Sequence, residues 1–84
     1  PQARFENIVV QELEDETIVW DLISNRVVCL NQTSAEVWRE CNGKNEVSVI
    51  AANLSRKFKT DVNEELVWLS LEGLDNSHLL TKKL

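Results

Sequence analysis

Residues that break regular structure or build chemical sites are scarce in this sequence: its 84 residues include two glycines, one proline, one histidine and two cysteines. So little glycine and proline argues against a disordered or low-complexity chain. A zinc site would need two ligands beyond the cysteines, and His78 is the only histidine. A small secreted domain held together by disulfides usually has more cysteines. We therefore expect no metal, no cofactor and no disulfide, with Cys29 and Cys41 packed in the core.

Long apolar runs are also missing. The sequence has no signal-like segment at its N-terminus and no stretch long enough to span a membrane. We expect a protein of the reducing cytoplasm that does not bind membranes. A chain of this length has no room for a second core, so we expect a single domain over residues 1–84.

Positive charge is in the minority: nine Lys and Arg residues face fourteen Asp and Glu residues, for a formal net charge of −5. Nucleic-acid affinity depends largely on Lys and Arg, so this balance predicts no nucleic-acid partner. The basic residues at 56–59 and 82–83 are interpreted as solvated charges near helix and chain ends.

Catalytic motifs are absent as well. The sequence has no glycine-rich phosphate loop, no Cys-x-x-Cys and no Gly-x-Ser-x-Gly. The acidic residues at 12–16 are typical of a solvated turn rather than of a paired acid and base. His78 stands beside two leucines, which favours a packing or surface role. We expect no catalytic residue, and so no enzymatic activity.

The first third of the chain predicts three β-strands. β-branched and aromatic residues are concentrated at 8–13, 17–22 and 26–30, and polar residues at 14–16 and 24–25 separate them. Connections this short favour antiparallel pairing, because a parallel crossover needs a dozen or more residues.

The remaining sequence predicts three helices within residues 33–76. Thr33 or Ser34 caps the first, with Glu36 answering from its first turn, and it runs to about Cys41 before the turn at Asn42-Gly43. The second spans 47–58, and the third starts after a cap at Asn63. A short extended tail follows. Three strands and then three helices indicate an α+β fold, and the last two helices resemble a helix-turn-helix unit.

The spacing of apolar residues predicts a shared core. Trp20 and Trp38 are also expected to be buried, whereas Trp68 lies beside the buried face of the third helix and is equally compatible with a groove wall. The core positions that the pattern predicts are Leu30, Val37, Trp38, Ile50, Leu54, Val67, Leu71 and Leu74.

Two elements have more apolar surface than a core requires. The third strand is apolar on both faces, with Val27 and Cys29 on one and Val28 and Leu30 on the other, and only Arg26 defends it. It is either a central strand covered on both sides or an open edge that accepts an extended peptide.

The third helix is similarly wide. Val67, Leu71 and Leu74 define its inner face, Leu69 lies nearly opposite, and Leu66 and Gly73 occupy a flank. Such a surface is either fully buried or part of a ligand groove.

The chain resembles the PqqD-like family, whose members are also called precursor-peptide recognition elements. The resemblance runs from about residue 4 to residue 80 and depends on residues 30–38, 41–44, 47–54 and 67–80, with Asp21 and Leu22 also fitting the family pattern. No single motif is specific, but their order and spacing together are. The chain departs from the family at 76–78, where members often place a glycine before the final leucines.

The resemblance implies a winged-helix-like fold of three strands packed on three helices, and a biosynthetic role without catalysis. Members of the family bind the leader of a ribosomally made precursor peptide and bring it to a modifying enzyme, often a radical-SAM protein. The leader adds to the third strand and lies against the third helix. The peptide-binding residues so implied are Arg26, Val27, Val28, Cys29 and Leu30, with Leu66, Leu69 and Gly73 or else Trp68.

Two alternatives remain. The helix-turn-helix resemblance allows a DNA-binding winged helix, although Glu64, Glu65 and Glu72 lie on the helix that would read DNA and it has no Lys or Arg. The open third strand also allows a homodimer, in which it pairs with its own copy.

Overall fold

The computed structural model describes residues 1–82, in which four strands are followed by three helices and a final short strand. Lys83 and Leu84, and with them the end of the predicted domain and of the basic pair at 82–83, lie outside the described residues. The elements are β1 (Gln2–Ala3), β2 (Ile8–Glu12), β3 (Glu16–Asp21), β4 (Arg26–Asn31), α1 (Gln32–Glu40), α2 (Val47–Phe58), α3 (Glu64–Asn76) and β5 (Leu80–Lys82).

Residues 1–82 form two antiparallel sheets. β2, β3 and β4 make a three-stranded meander in that order, with Val19 aligned to Val10 on one side and to Val28 on the other. The predicted α+β class with a three-stranded antiparallel sheet and three helices is confirmed. The small sheet of β1 and β5 was not predicted, because a two-residue strand is too short to show a period of two.

The core lies between one face of the meander and the helices. All eight predicted core residues are buried. Sequence spacing found them because a helix or a strand presents one regular face to its partner. The pattern missed buried residues outside the long periodic segments, notably Val62 before α3 and Leu79 after it.

The predicted burial of Trp20 and Cys29 is wrong. Trp20 is 44% exposed and Cys29 is exposed on β4. In the register of the sheet Ile18 lies opposite Cys29 and Trp20 opposite Val27, on the face that alternates with buried Thr17 and Val19. The helices cover the Val19 face, so apolar residues on the other face stay in contact with solvent. Cys41 is buried as predicted; burial raises the pKa of its thiol to about 11, and the thiol donates to the Val37 carbonyl at 3.0 Å.

Helix ends follow the predicted positions with one exception. Asn31, the last residue of β4, caps α1 by accepting from the Ser34 amide at 2.8 Å, so the predicted cap at Thr33 or Ser34 is wrong. Glu36 does not cap; its carboxylate accepts from Arg39 at 2.6 Å and pairs with Lys57 at 2.8 Å. Among residues 1–82, none of the helices has the length and apolar character that crossing a membrane requires.

The segments that contain Phe5 and Leu79 both contact Trp38 of α1. The buried Trp38 indole donates to the Leu79 carbonyl at 2.9 Å, and Phe5 packs on the same ring with centroids 4.8 Å apart. His78, just before this tail, has a φ of 60°. That left-handed conformation is the one glycine adopts most easily, so the backbone here takes a glycine-like turn although the residue is His78.

Asp21 organises the turn between β3 and β4. Its carboxylate accepts from the Ile23 amide at 3.0 Å and from Arg4 at 2.5 Å. Burial favours the neutral acid, but hydrogen bonds from the Ser24 hydroxyl, the Ile23 and Ser24 amides and Arg4 outweigh it, so the pKa of Asp21 lies below its ordinary value. The turn, and with it the start of β4, depends on an ionised carboxylate.

Leu54→Ala should destabilise the fold by about 2–5 kcal/mol, because it leaves a cavity at a residue that is 1% exposed. Urea unfolding followed by circular dichroism measures the loss. Val49→Ala, on the exposed side of the same helix, should change stability by less than about 0.5 kcal/mol. A loss below about 1 kcal/mol for Leu54→Ala would show that α2 does not supply the core.

Asp21→Asn should destabilise the fold in a pH-dependent way. Because the folded pKa is depressed, ionised Asp21 stabilises the fold above the unfolded value of about 3.9, and this contribution is lost as the pH falls toward the lower folded value. Urea unfolding should therefore show a constant gap between wild type and variant from about pH 7 to about pH 5 and a shrinking gap below about pH 4. A gap that does not shrink in acid would contradict the assignment, and exposed Asp61→Asn is the control.

Candidate functional site

β4 is an edge strand. The sheet order leaves one side of β4 without a neighbouring strand among residues 1–82, which rules out the alternative of a covered central strand. Along β4, Val28 is half-buried and Leu30 buried toward the core, whereas Val27 and Cys29 point to the opposite face and are exposed. Arg26 is exposed at the start of the strand. The free edge therefore offers backbone donors and acceptors between apolar side chains on both faces.

A cleft runs between this edge and α3. It encloses about 220 Å³, which is below the roughly 300–1,000 Å³ of small-molecule pockets. From β4 it is lined by residues 28–30, and from α3 by Leu69, Ser70, Gly73 and Leu74, with Ser77 just after α3 and Ser34 of α1 completing the lining. The structure thus brings Val28, Cys29, Leu30, Leu69 and Gly73 together.

Gly73 lies in the interior of α3, where glycine usually weakens a helix. A Cβ built on Gly73 would meet no atom of residues 1–82 within 4 Å beyond its own stretch of helix. The packing of the fold therefore does not require glycine here. Because glycine has no side chain, the part of α3 that faces β4 leaves space in the cleft at this position.

Trp68 belongs to the other flank of α3. It borders one groove with Glu65, Leu69 and Glu72, and a second of about 370 Å³ with the chain between α1 and α2. Although the second groove is larger than the cleft, no strand edge lines it. Leu69, 70% exposed, lines both the first of these grooves and the cleft beside β4, whereas Trp68 does not line the cleft.

The serines of the cleft were not singled out from the sequence. Ser70, Gly73 and Ser77 follow one another at helical spacing and lie on the face of α3 that also includes exposed Leu66. Leu66 does not line the cleft and extends its wall toward the start of α3. The sequence signal that could have indicated these cleft residues is a run of small residues at helical spacing beside a stripe of leucines.

The opposite edge of the sheet, β2, is flanked by charge instead. Arg39 of α1 pairs with Glu12 of β2 and with Glu36, and Lys57 of α2 also reaches Glu36. These ion pairs tie the end of β2 to the helices and leave a polar recess there. The two edges therefore differ: the flank of β4 is an apolar opening and the flank of β2 is a charged, internally paired surface.

The exposed surface of α3 is acidic. Glu64, Glu65, Glu72 and Asp75 are all exposed, and this helix has no Lys or Arg. A duplex phosphate backbone would meet negative charge there, which disfavours the DNA-binding alternative. Among residues 1–82, no three His, Cys, Asp or Glu side chains lie together as metal ligands would. The cleft can form backbone hydrogen bonds and bury apolar side chains.

Comparison with known proteins gives a family and a structural neighbour. No curated protein matches the sequence. The solved structure described as TbiB1 in complex with the TbiA(beta) leader peptide matches with a TM-score of 0.73 over 96% of this chain and 95% of that one, at 16% identity, so the two share a fold. The family model for coenzyme PQQ synthesis protein D (PqqD) matches residues 13–74, which is well over half of the sequence. The chain belongs to the PqqD family.

Proposed function

We propose that this protein captures the leader of a ribosomally made precursor peptide, which adds to β4 as a fourth strand and lies in the cleft against α3. The observation that carries the proposal is the open apolar cleft between an unpaired strand edge and a helix. β-augmentation requires an edge with free backbone groups and pockets for alternate side chains, and β4 with its cleft provides both.

Backbone hydrogen bonds and side-chain contacts have different roles in recognition of the leader. Hydrogen bonds along residues 26–30 supply affinity with little dependence on the leader sequence, because they involve only backbone groups. Side chains of the leader that point inward enter the cleft between Val28 and Leu30 on one side and Leu69 and Gly73 on the other. A volume of about 220 Å³ suits a small number of apolar side chains rather than a whole folded ligand.

Membership of the PqqD family and the shared fold support this reading. The structural neighbour was solved in complex with a leader peptide, and it aligns with nearly the whole of this chain. At 16% identity that likeness does not transfer the contacts, so the binding residues here are proposed from the cleft itself.

Delivery to an enzyme completes the proposal. The cleft residues are apolar side chains and serines, so we propose that a separate modifying enzyme, such as a radical-SAM protein, acts on the captured peptide in the cytoplasm. The net charge of −5 favours encounter with a leader that contains Lys or Arg, an effect on association rate more than on final affinity.

Gly73→Leu should abolish most leader binding while leaving the fold intact or more stable. The leucine fills the cleft wall without meeting other atoms of the fold, and replacing glycine inside a helix gains up to about 1 kcal/mol. Calorimetric titration with leaders of short precursor genes from the same gene cluster measures binding, and thermal unfolding measures stability. Wild-type affinity in a folded Gly73→Leu protein would remove the cleft from the binding site.

A matched pair on α3 tests which flank is used. Leu69→Glu, on the side of β4, should weaken binding at least tenfold, because it places a charge against the apolar segment of the leader. Trp68→Glu should weaken it less than about threefold, since Trp68 borders the other flank. The reverse order would move the site to Trp68, and amide shifts clustered on β2 rather than on residues 26–30 would overturn the binding mode.

A further inference from the structure

The outer face of the meander, turned away from the helices, has two adjoining rows without charge, whereas the next row holds Glu16 opposite Asn31. Its rows follow from the register: Val9 lies opposite Trp20, which lies opposite Val27, and in the next row Ile18 stands between Gln11 and Cys29. Val9 is 50%, Trp20 44% and Val27 53% exposed. Neither row contains a charged residue, although the chain as a whole has fourteen acidic and nine basic ones.

This face is continuous with the free edge of β4. Val27 and Cys29 belong to both, because they are the outward residues of the edge strand. A fourth strand added to β4 alternates its side chains in the same way, so every second one must lie beside Val27 or Cys29. Such directly opposed side chains are about 4.5–5.5 Å apart and interact, with apolar and aromatic pairs favoured over polar ones.

We infer that the bound peptide is selected on both faces: its inward side chains by the cleft and its outward side chains by Val27 and Cys29. The ligand class is therefore an extended segment with consecutive apolar residues, rather than one that alternates apolar and polar. An outward β-branched or aromatic residue extends the row of Val9, Trp20 and Val27 to a fourth member. This inference rests on the proposed function, because it needs a peptide on β4.

The experiment uses a displayed library of random 12-residue peptides, selected on wild type, Val27→Glu and Val9→Glu. Val9 is the matched control: it occupies the same row at nearly equal exposure, but on the far edge of the sheet. Selection on Leu69→Ala, which shortens one cleft side chain without adding a charge, fixes the frame, because the positions whose preference changes there point inward. The remaining alternate positions point outward.

Wild type should enrich apolar residues at inward and outward positions alike. Val27→Glu should keep the inward preference and change one outward position to Lys or Arg, whereas Val9→Glu should change neither. For one enriched synthetic peptide, replacing a single outward apolar residue by Ser should weaken binding to wild type by about 1.5- to 5-fold.

Each contrary outcome has a separate meaning. If the peptides show a preference only at inward positions, and Val27→Glu does not change the outward positions, selection on both faces is overturned. The proposed function is then unaffected. No enriched peptide, or a preference that follows Val9→Glu, overturns peptide capture at β4 itself. A second copy of this chain could also cover the outer face, and sedimentation tests this. If wild type is a dimer, and Val27→Glu dissociates it without changing the peptide preference, the outer face belongs to the dimer interface and the inference is overturned.

Discussion

The position of α1 determines the rest of this structure. α1 packs against β3 and β4 on one side and against α2 and α3 on the other, burying Ala35, Val37 and Trp38 between them. Because α1 fills this space, α3 rests on α1 and α2 and does not pack closely on β4. The cleft is thus a consequence of core packing. The Trp38 hydrogen bond to Leu79 also joins the segment after α3 to α1, so one buried helix contacts the sheet, the other two helices and this segment.

The sequence predicted the inner surfaces of this fold better than the outer ones. A residue such as Ile50 or Leu71 belongs to one apolar stripe of a helix, and only one orientation buries that stripe. β3 gives no such signal, since Ile18 and Trp20 are as apolar as Val19 between them. Which face the helices cover follows from the docking of α1 on β3 and β4, a tertiary contact that sequence periodicity does not contain. The burial expected for Trp20 and Cys29 was wrong for this reason.

The candidate site was predictable in part. An undefended third strand and an overly wide third helix were visible in the sequence, and the structure places both beside one cleft. The flank of α3 was not decided, because Leu69 and Trp68 lie on either side of an acidic stripe and both are apolar. Only the docking of Val67, Leu71 and Leu74 on the neighbouring helices turns Leu69 and Gly73 toward β4. Helical spacing leaves two possible sides of α3 facing β4. How α3 packs on the other helices determines which of the two does, and this is tertiary structure.

An open apolar strand edge favours unwanted association with other chains, and the charge distribution of this protein opposes such association. Free edges pair with other chains, and exposed apolar faces associate, so most proteins cover or charge them. Here eight of the fourteen acidic residues lie on α3 and at residues 12–16, and the chain as a whole has a net charge of −5. Repulsion between copies acts over a distance of about 8–10 Å at ordinary salt, which opposes aggregation without occupying β4. A second copy of the chain, with the same net charge, is therefore discouraged from reaching this edge. The uncharged rows of the outer face and the acidic face of α3 thus lie on different parts of the molecule, so the net charge opposes association while no strand of residues 1–82 covers the edge of β4.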